Sequence, residues 1–149
     1  MTIRRAGAAD LDVVAPLFDA YRRFYRLTGD LERGKCFLRE RMERNESVIF
    51  VAFDLGKAVG FTQLYPSFSS GAMARIFVLN DLYVVPEARR FGVGSALLGA
   101  AADFGRAEGA VRLMLSTEVT NTVAQSVYKK NGWKRDTVFC VINSRFSGR

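Results

Sequence analysis

Two stretches of the chain hold residue types at spacings that can do chemistry. The first is Arg89-Arg90-Phe91-Gly92-Val93-Gly94-Ser95. Gly92 and Gly94 lack Cβ atoms, so a ligand can come close to the backbone N–H groups that a helix leaves unpaired in its first turn. The helix macrodipole and the guanidinium groups of Arg89 and Arg90 favour negative charge at the same place. A pyrophosphate suits such a site. The second stretch is Asn121-Thr122-Val123-Ala124-Gln125-Ser126-Val127-Tyr128-Lys129-Lys130-Asn131-Gly132-Trp133. On a helix, Asn121, Ala124 and Tyr128 share one face, and Gly132 supplies the C-terminal stop. Tyr128 is then either a proton donor, with a phenol pKa near ~10, or an amphipathic residue packing at a helix edge.

The elements that must position these residues are legible around them. Leu82-Tyr83-Val84-Val85 reads as a strand stopped by Pro86, and the glycine loop runs into a helix with apolar residues at Val93, Leu97, Ala101 and Phe104. The loop differs from a P-loop, which needs Lys-Ser/Thr directly after its last glycine. It differs also from the dinucleotide fingerprint, because Leu97 stands where a third glycine belongs.

What remains, Arg89-x-x-Gly92-x-Gly94, resembles the pyrophosphate loop of the GNAT superfamily of acyl-CoA N-acetyltransferases, which has the form Gln/Arg-x-x-Gly-x-Gly/Ala before a helix. The stretch Asn121-x-x-Ala124-x-x-x-Tyr128-x-x-x-Gly132-Trp133 is similar to the segment that follows the fifth strand in that superfamily. The resemblance covers nearly the whole chain. It implies an α+β sandwich: a mixed, mostly antiparallel central sheet with strands 4 and 5 splayed apart and helices on both faces. It implies acetyl-CoA as co-substrate, with no metal. The pantetheine arm would enter the gap and pair with backbone groups of Leu82, Tyr83 and Val84, the pyrophosphate would sit on Arg89 through Ser95, and Asn121, Ala124 and Tyr128 would flank the far side. Tyr128 would point at the coenzyme sulfur as general acid. Relatives that pair through their terminal strands imply a homodimer.

Acetyl transfer also needs an amine that has lost its proton and a polarised carbonyl. A backbone N–H near Leu82 is the candidate for the carbonyl. With no histidine in the chain, the acidic candidates for the base are Asp81, Glu87 and Glu118, and Asp81 is favoured. Leu79-Asn80-Asp81-Leu82-Tyr83-Val84 resembles the matching strand of the spermidine/spermine and thialysine N-acetyltransferases, which carry Leu-Glu-Asp there. Asn80 replaces that glutamate and cannot act as a base, so either Asp81 or an ordered water takes over, or the substrate differs from a polyamine. Asp81 therefore reads either as the substitute base or as a structural carboxylate satisfying backbone donors where the strand bends. Tyr21, Phe24, Tyr25, Tyr65 and Phe68 are candidates for lining an acceptor pocket or for the core. The expected acceptor is a small primary amine such as an amino acid, a lysine analogue or a polyamine-like compound. A peptide or protein amine, and a non-catalytic coenzyme-binding module, are the alternatives.

Composition narrows the rest. A chain of 149 residues with 49% hydrophobic content suggests a single globular domain over residues 1–149. No apolar run approaches the ~20 residues of a membrane span, and nothing resembles a signal-peptide core, so a cytoplasmic location is expected. The net charge of +7 comes from arginines interleaved with acids rather than from a basic tail, which disfavours nucleic acid as a partner. Cys36 and Cys140 read as ordinary reduced thiols.

Along the chain, strands are expected at Thr2–Ala6, Ser47–Phe53, Ala58–Tyr65, Met73–Val85, Val111–Ser116 and Lys134–Ile142. A helix capped by Asp10 carries Leu11, Val14, Phe18, Tyr21 and Tyr25 inward, and a second, Leu31 to Arg44, turns in Phe37, Leu38 and Met42. Asp54-Leu55-Gly56-Lys57 reads as a hairpin, and Pro66 to Gly71 as a polar loop.

Overall fold

A computed structural model describes residues 1–146. Its strands are β1 (Thr2–Arg5), β2 (Val48–Asp54), β3 (Lys57–Ser69), β4 (Ala74–Val84) and β5 (Leu113–Met114). Its α-helices are α1 (Leu11–Phe24), α2 (Leu31–Glu43), α3 (Val93–Ala107) and α4 (Thr122–Lys130). The strands form one sheet in the order β1-β2-β3-β4-β5, antiparallel except for the parallel pair β4/β5. This is the expected mixed sheet of the GNAT fold, with helices on both faces.

Alternation along β2 shows how the sheet is sandwiched. Ile49 and Val51 pack with Leu11, Val14 and Phe18 of α1 and Leu38 of α2. Val48 joins Leu98 and Ala101 of α3 in a second cluster, and Ala52 joins Val93 and Leu97 of α3 in a third. Successive side chains point to opposite faces, so a central strand apolar on both faces must be covered twice. Gly60 lets α3 lie close: a Cβ there would stand 2.9 Å from the Tyr83 carbonyl oxygen and 3.3 Å from Leu97 and Val93.

Several local expectations change. Asp10 stands before α1 but makes no capping bond to it; its carboxylate accepts from the Gly7 N–H at 2.8 Å and pairs with Arg4 at 2.8 Å. Those donors hold its carboxyl at about 2, the Arg4 hydrogen bond contributing most. The polar loop expected from Pro66 is mostly strand, because β3 stays paired to β4 as far as Ser69↔Ala74. Proline is tolerated there because β2 pairs with β3 only as far as Leu64, leaving an edge beyond it. The strand expected at Val111–Ser116 shrinks to two residues, since β5 meets β4 only at Phe77↔Leu113 and Val78↔Met114. The strand expected at Lys134–Ile142 is absent. Its apolar residues Val138, Phe139, Val141 and Ile142 are all exposed, and no described strand pairs with them.

Candidate active site

The site begins where β4 and β5 part. Beyond Val78 and Met114 the two strands are unpaired, and a cavity of about 320 Å³ opens between them. Leu79, Asn80 and Leu82 of β4 form one wall, Ser116 to Glu118 after β5 another, and Tyr21, Tyr25 and Tyr128 close it. Its volume suits a small-molecule site. A larger cavity, about 440 Å³, lies among Arg5, Leu11, Arg39 and Met42 and contains none of the motif residues.

A bulge shapes the wall. Gln63 pairs with Asp81 and Leu64 with Leu79, so Asn80 is an extra residue in β4, and it is exposed while its neighbours are buried. After the bulge, register decides which backbone groups are free. The Tyr83 carbonyl turns toward Gly60 and the Val85 N–H donates to the Val59 carbonyl, so both face β3. Leu82 and Val84 therefore face the gap. The structure thus brings Leu82 to the cavity and turns the backbone of Val84 to the same side of the strand, whereas Tyr83 puts its backbone on β3 and its ring in the α1 core.

Asp81 is buried, 1% exposed, behind this wall rather than on it. Its carboxylate accepts from Gln63 Nε2 and, at 2.8 Å, from Asn80 Nδ2; Gln63 Oε1 in turn accepts from Ser47 Oγ at 2.7 Å. The Tyr21 hydroxyl, 3.2 Å from the Asn80 carbonyl oxygen, also faces the carboxylate. Burial raises the Asp81 carboxyl above the ordinary range, and the donors from Asn80, Gln63 and Tyr21 only partly offset it. Asp81 reaches the cavity only through its neighbours.

Tyr128 does reach it. Its ring is half-buried beside Trp133, 6.0 Å between centroids, and burial pushes its phenol up to about 12. The Asn121 side chain caps α4 by accepting from the Ala124 N–H at 3.1 Å, which fixes the start of the helix that carries Tyr128.

The glycine loop leads to an open helix end. Gly92, with φ 81°, is the residue before α3, and Arg90 also takes a left-handed φ, 69°. No side chain caps α3, no acidic residue lies in its first turn, and its first backbone bond is Ala96 N–H to the Gly92 carbonyl at 3.0 Å. The N–H groups of Val93, Gly94 and Ser95 are left for a ligand, although the Val93 side chain itself is buried against Leu97. Phe91 is exposed at the tip. Arg89 is committed elsewhere: its Nε donates to the Val84 carbonyl at 2.8 Å, and its guanidinium stacks over Phe24 and Tyr83. It braces the strand end, and Arg90 is the unbraced arginine of the pair.

Sequence reasoning missed Thr117, whose buried Oγ1 has no hydrogen-bond partner, and Asn131, whose Nδ2 donates to Ser95 Oγ at 3.0 Å. Neither residue carries a signal of its own in the sequence. Tyr21 and Tyr25 do line the cavity, as their helical spacing allowed, while Tyr65 and Phe68 are not among its walls. No group of three metal-binding side chains occurs among the described residues, and no helix among them is long and apolar enough to cross a membrane.

Residues 14–133 match the Acetyltransferase (GNAT) family. Over 139 residues the chain is 50% identical to an uncharacterized N-acetyltransferase, YhfO, of Bacillus subtilis (strain 168), with 93% of each chain covered. Its structure is similar to the crystal structure of a probable acetyltransferase, with TM-score 0.94, 42% identity and 100% of both chains covered. An aminoglycoside N-acetyltransferase crystallised with CoA gives TM-score 0.82 over 98% of this chain and 94% of its own; at 21% identity that likeness is one of fold.

Proposed function

The chain belongs to the Acetyltransferase (GNAT) family, and from that premise we propose that it moves the acetyl group of acetyl-CoA to a primary amine of a small molecule by direct attack in a ternary complex. The observation that carries this reading is the parting of β4 and β5 beside the uncapped, acid-free start of α3. Strand backbone left unpaired at Leu82, followed along the chain by free helix N–H groups, suits a long thioester that ends in pyrophosphate.

In this reading Val93, Gly94, Ser95 and Arg90 hold the pyrophosphate, and the gap-facing backbone of Leu82 and the N–H of Val84 hold the pantetheine arm, the Val84 carbonyl being taken by Arg89. The N–H of Leu82 polarises the thioester carbonyl as charge builds on its oxygen. The attacking nitrogen forms its bond to the acyl carbon, the C–S bond breaks, and the electron pair leaves on sulfur. A phenol at about 12 is a weaker acid than a thiol at about 8.5. Tyr128 therefore stabilises the departing thiolate by donating a hydrogen bond and keeps its own proton. Asp81, closed off behind Asn80, serves best as the anchor that orients Asn80 and Tyr21, and the ammonium proton leaves through water in the cavity mouth. A place in the spermidine/spermine and thialysine branch is part of the same proposal, supported by Leu79–Val84 and by Tyr65-Pro66-Ser67-Phe68 before that strand.

The test is thiol release from acetyl-CoA with polyamines, lysine analogues, amino acids, aminoglycosides and peptides, each beside Tyr128→Phe. Turnover of one amine class, reduced in the variant, is expected. Coenzyme binding without release on any amine would overturn the reading.

A homodimer belongs to the same proposal. Val138, Phe139, Val141 and Ile142 expose an apolar run, which a second copy would cover. Light scattering should give twice the chain mass, and the monomer mass would refute it.

A further inference from the structure

The cavity between β4 and β5 is at odds with the chain around it. The protein has 22 Lys and Arg residues and a net charge of +7, yet no Lys or Arg lines this cavity. The walls include Glu118 and three tyrosines. Carboxylates and aromatic faces both favour an ammonium group.

One cation reaches in from outside. Arg26, just after α1, has a left-handed backbone, φ 64°, and its Nη2 lies 2.9 Å from Glu118 Oε2. No other ion pair among the described residues involves a residue of the cavity wall. The Arg26 side chain is 73% exposed, and ion pairs of that exposure are weak and easily exchanged.

We propose that the acceptor carries a second positive charge, as in a diamine or an amino sugar with several amines, and that this charge replaces the Arg26 guanidinium on Glu118. Arg26 is a stand-in for the substrate cation, and Glu118 is the residue that determines specificity. The inference rests on the acetyltransfer reading and adds the substrate class to it.

The test compares an α,ω-diaminoalkane with the monoamine of equal length, on wild type, Glu118→Gln and Arg26→Gly; glycine suits the left-handed backbone at Arg26. Wild type should prefer the diamine by about tenfold in kcat/KM, the size expected for one charge-assisted contact. Glu118→Gln should abolish that preference by raising KM for the diamine more than for the monoamine. Arg26→Gly should lower the diamine KM severalfold, and should do nothing when combined with Glu118→Gln. A preference that survives Glu118→Gln, or a diamine KM that rises in Arg26→Gly as loss of a structural brace would cause, overturns the proposal. Should no amine turn over, the acetyltransfer reading fails instead, and calorimetric binding of the two amines to the coenzyme-loaded variants still decides the role of Glu118 by the same pattern.

Discussion

Asn131 Nδ2 lies 3.0 Å from Ser95 Oγ, which ties the end of α4 to the first turn of α3. The same amide donates to the Val127 carbonyl at 2.8 Å, so one side chain couples the helix that carries Tyr128 to the helix end proposed to hold the pyrophosphate. Asn131→Ala should raise KM for acetyl-CoA roughly threefold to tenfold while costing about 1 kcal/mol of stability. Coenzyme titration and a thermal melt check both; an unchanged KM would reduce the contact to packing.

Asp81 separates two ways of removing a buried charge. In Asp81→Asn the Gln63 amide can turn over, its oxygen meeting the new amide and its nitrogen meeting the Ser47 hydroxyl, which can accept as well as donate. Stability should change by less than ~1.5 kcal/mol. Asp81→Leu strands donors on Gln63 and Asn80 and should cost about 3–5 kcal/mol. The pH dependence has a definite sign. Burial raises the folded-state carboxyl above its unfolded value of ~3.9, so its contribution is most favourable below that value and is lost as pH rises through the folded one. Denaturant melts across pH should show Asp81→Asn gaining on wild type as pH rises. If acetyl transfer survives in Asp81→Asn, the residue is an anchor; a collapse of kcat with normal stability would make it the base.

Tyr128→Phe should lower kcat by roughly tenfold to a hundredfold, the scale of one lost donor in a transition state. With its phenol pushed up to about 12, Tyr128 keeps its proton throughout the range in which the enzyme can be assayed. Any ionisation seen in kcat/KM between pH 6 and 10 therefore belongs to another group, and the phenylalanine variant should show the same limb. A limb that vanishes with the hydroxyl would contradict this assignment.

The β2–β3 turn carries Leu55 at φ 51° and Gly56 at φ 77°, with the leucine side chain 99% exposed. Two positive φ values make a type I′ turn, which favours Asn-Gly over Leu-Gly. Leu55→Asn should add about 0.5–1 kcal/mol, seen as a higher melting temperature with kcat/KM unchanged.

The sequence spoke clearly where the signal is local. Arg89-x-x-Gly92-x-Gly94 and the Asn121–Tyr128 face could be read because glycine conformation and helical spacing are properties of a few neighbouring residues. The order of strands and helices up to α4 was legible for the same reason. Long-range facts were not. That Tyr83 turns its backbone from the gap follows from a bulge at Asn80, which exists only in the pairing with Gln63 and Leu64. That Arg89 braces Val84 instead of facing a ligand depends on Phe24 and Tyr83 coming beneath it. Residues 134–142 show the converse failure: a run of β-branched and aromatic residues announces a strand, yet pairing needs an edge long enough to receive it, and β5 has two residues.

Pro66 has a consequence beyond its own strand. The N–H of its partner Phe77 donates toward β5, to the Arg112 carbonyl, so Pro66 turns its ring nitrogen to the outer margin of β3, where no described strand is paired. A foreign strand laid along that margin would find a rung missing next to where β2 leaves off. One imino acid thus makes the open side of the overhanging β3–β4 ribbon a poorer template for another chain.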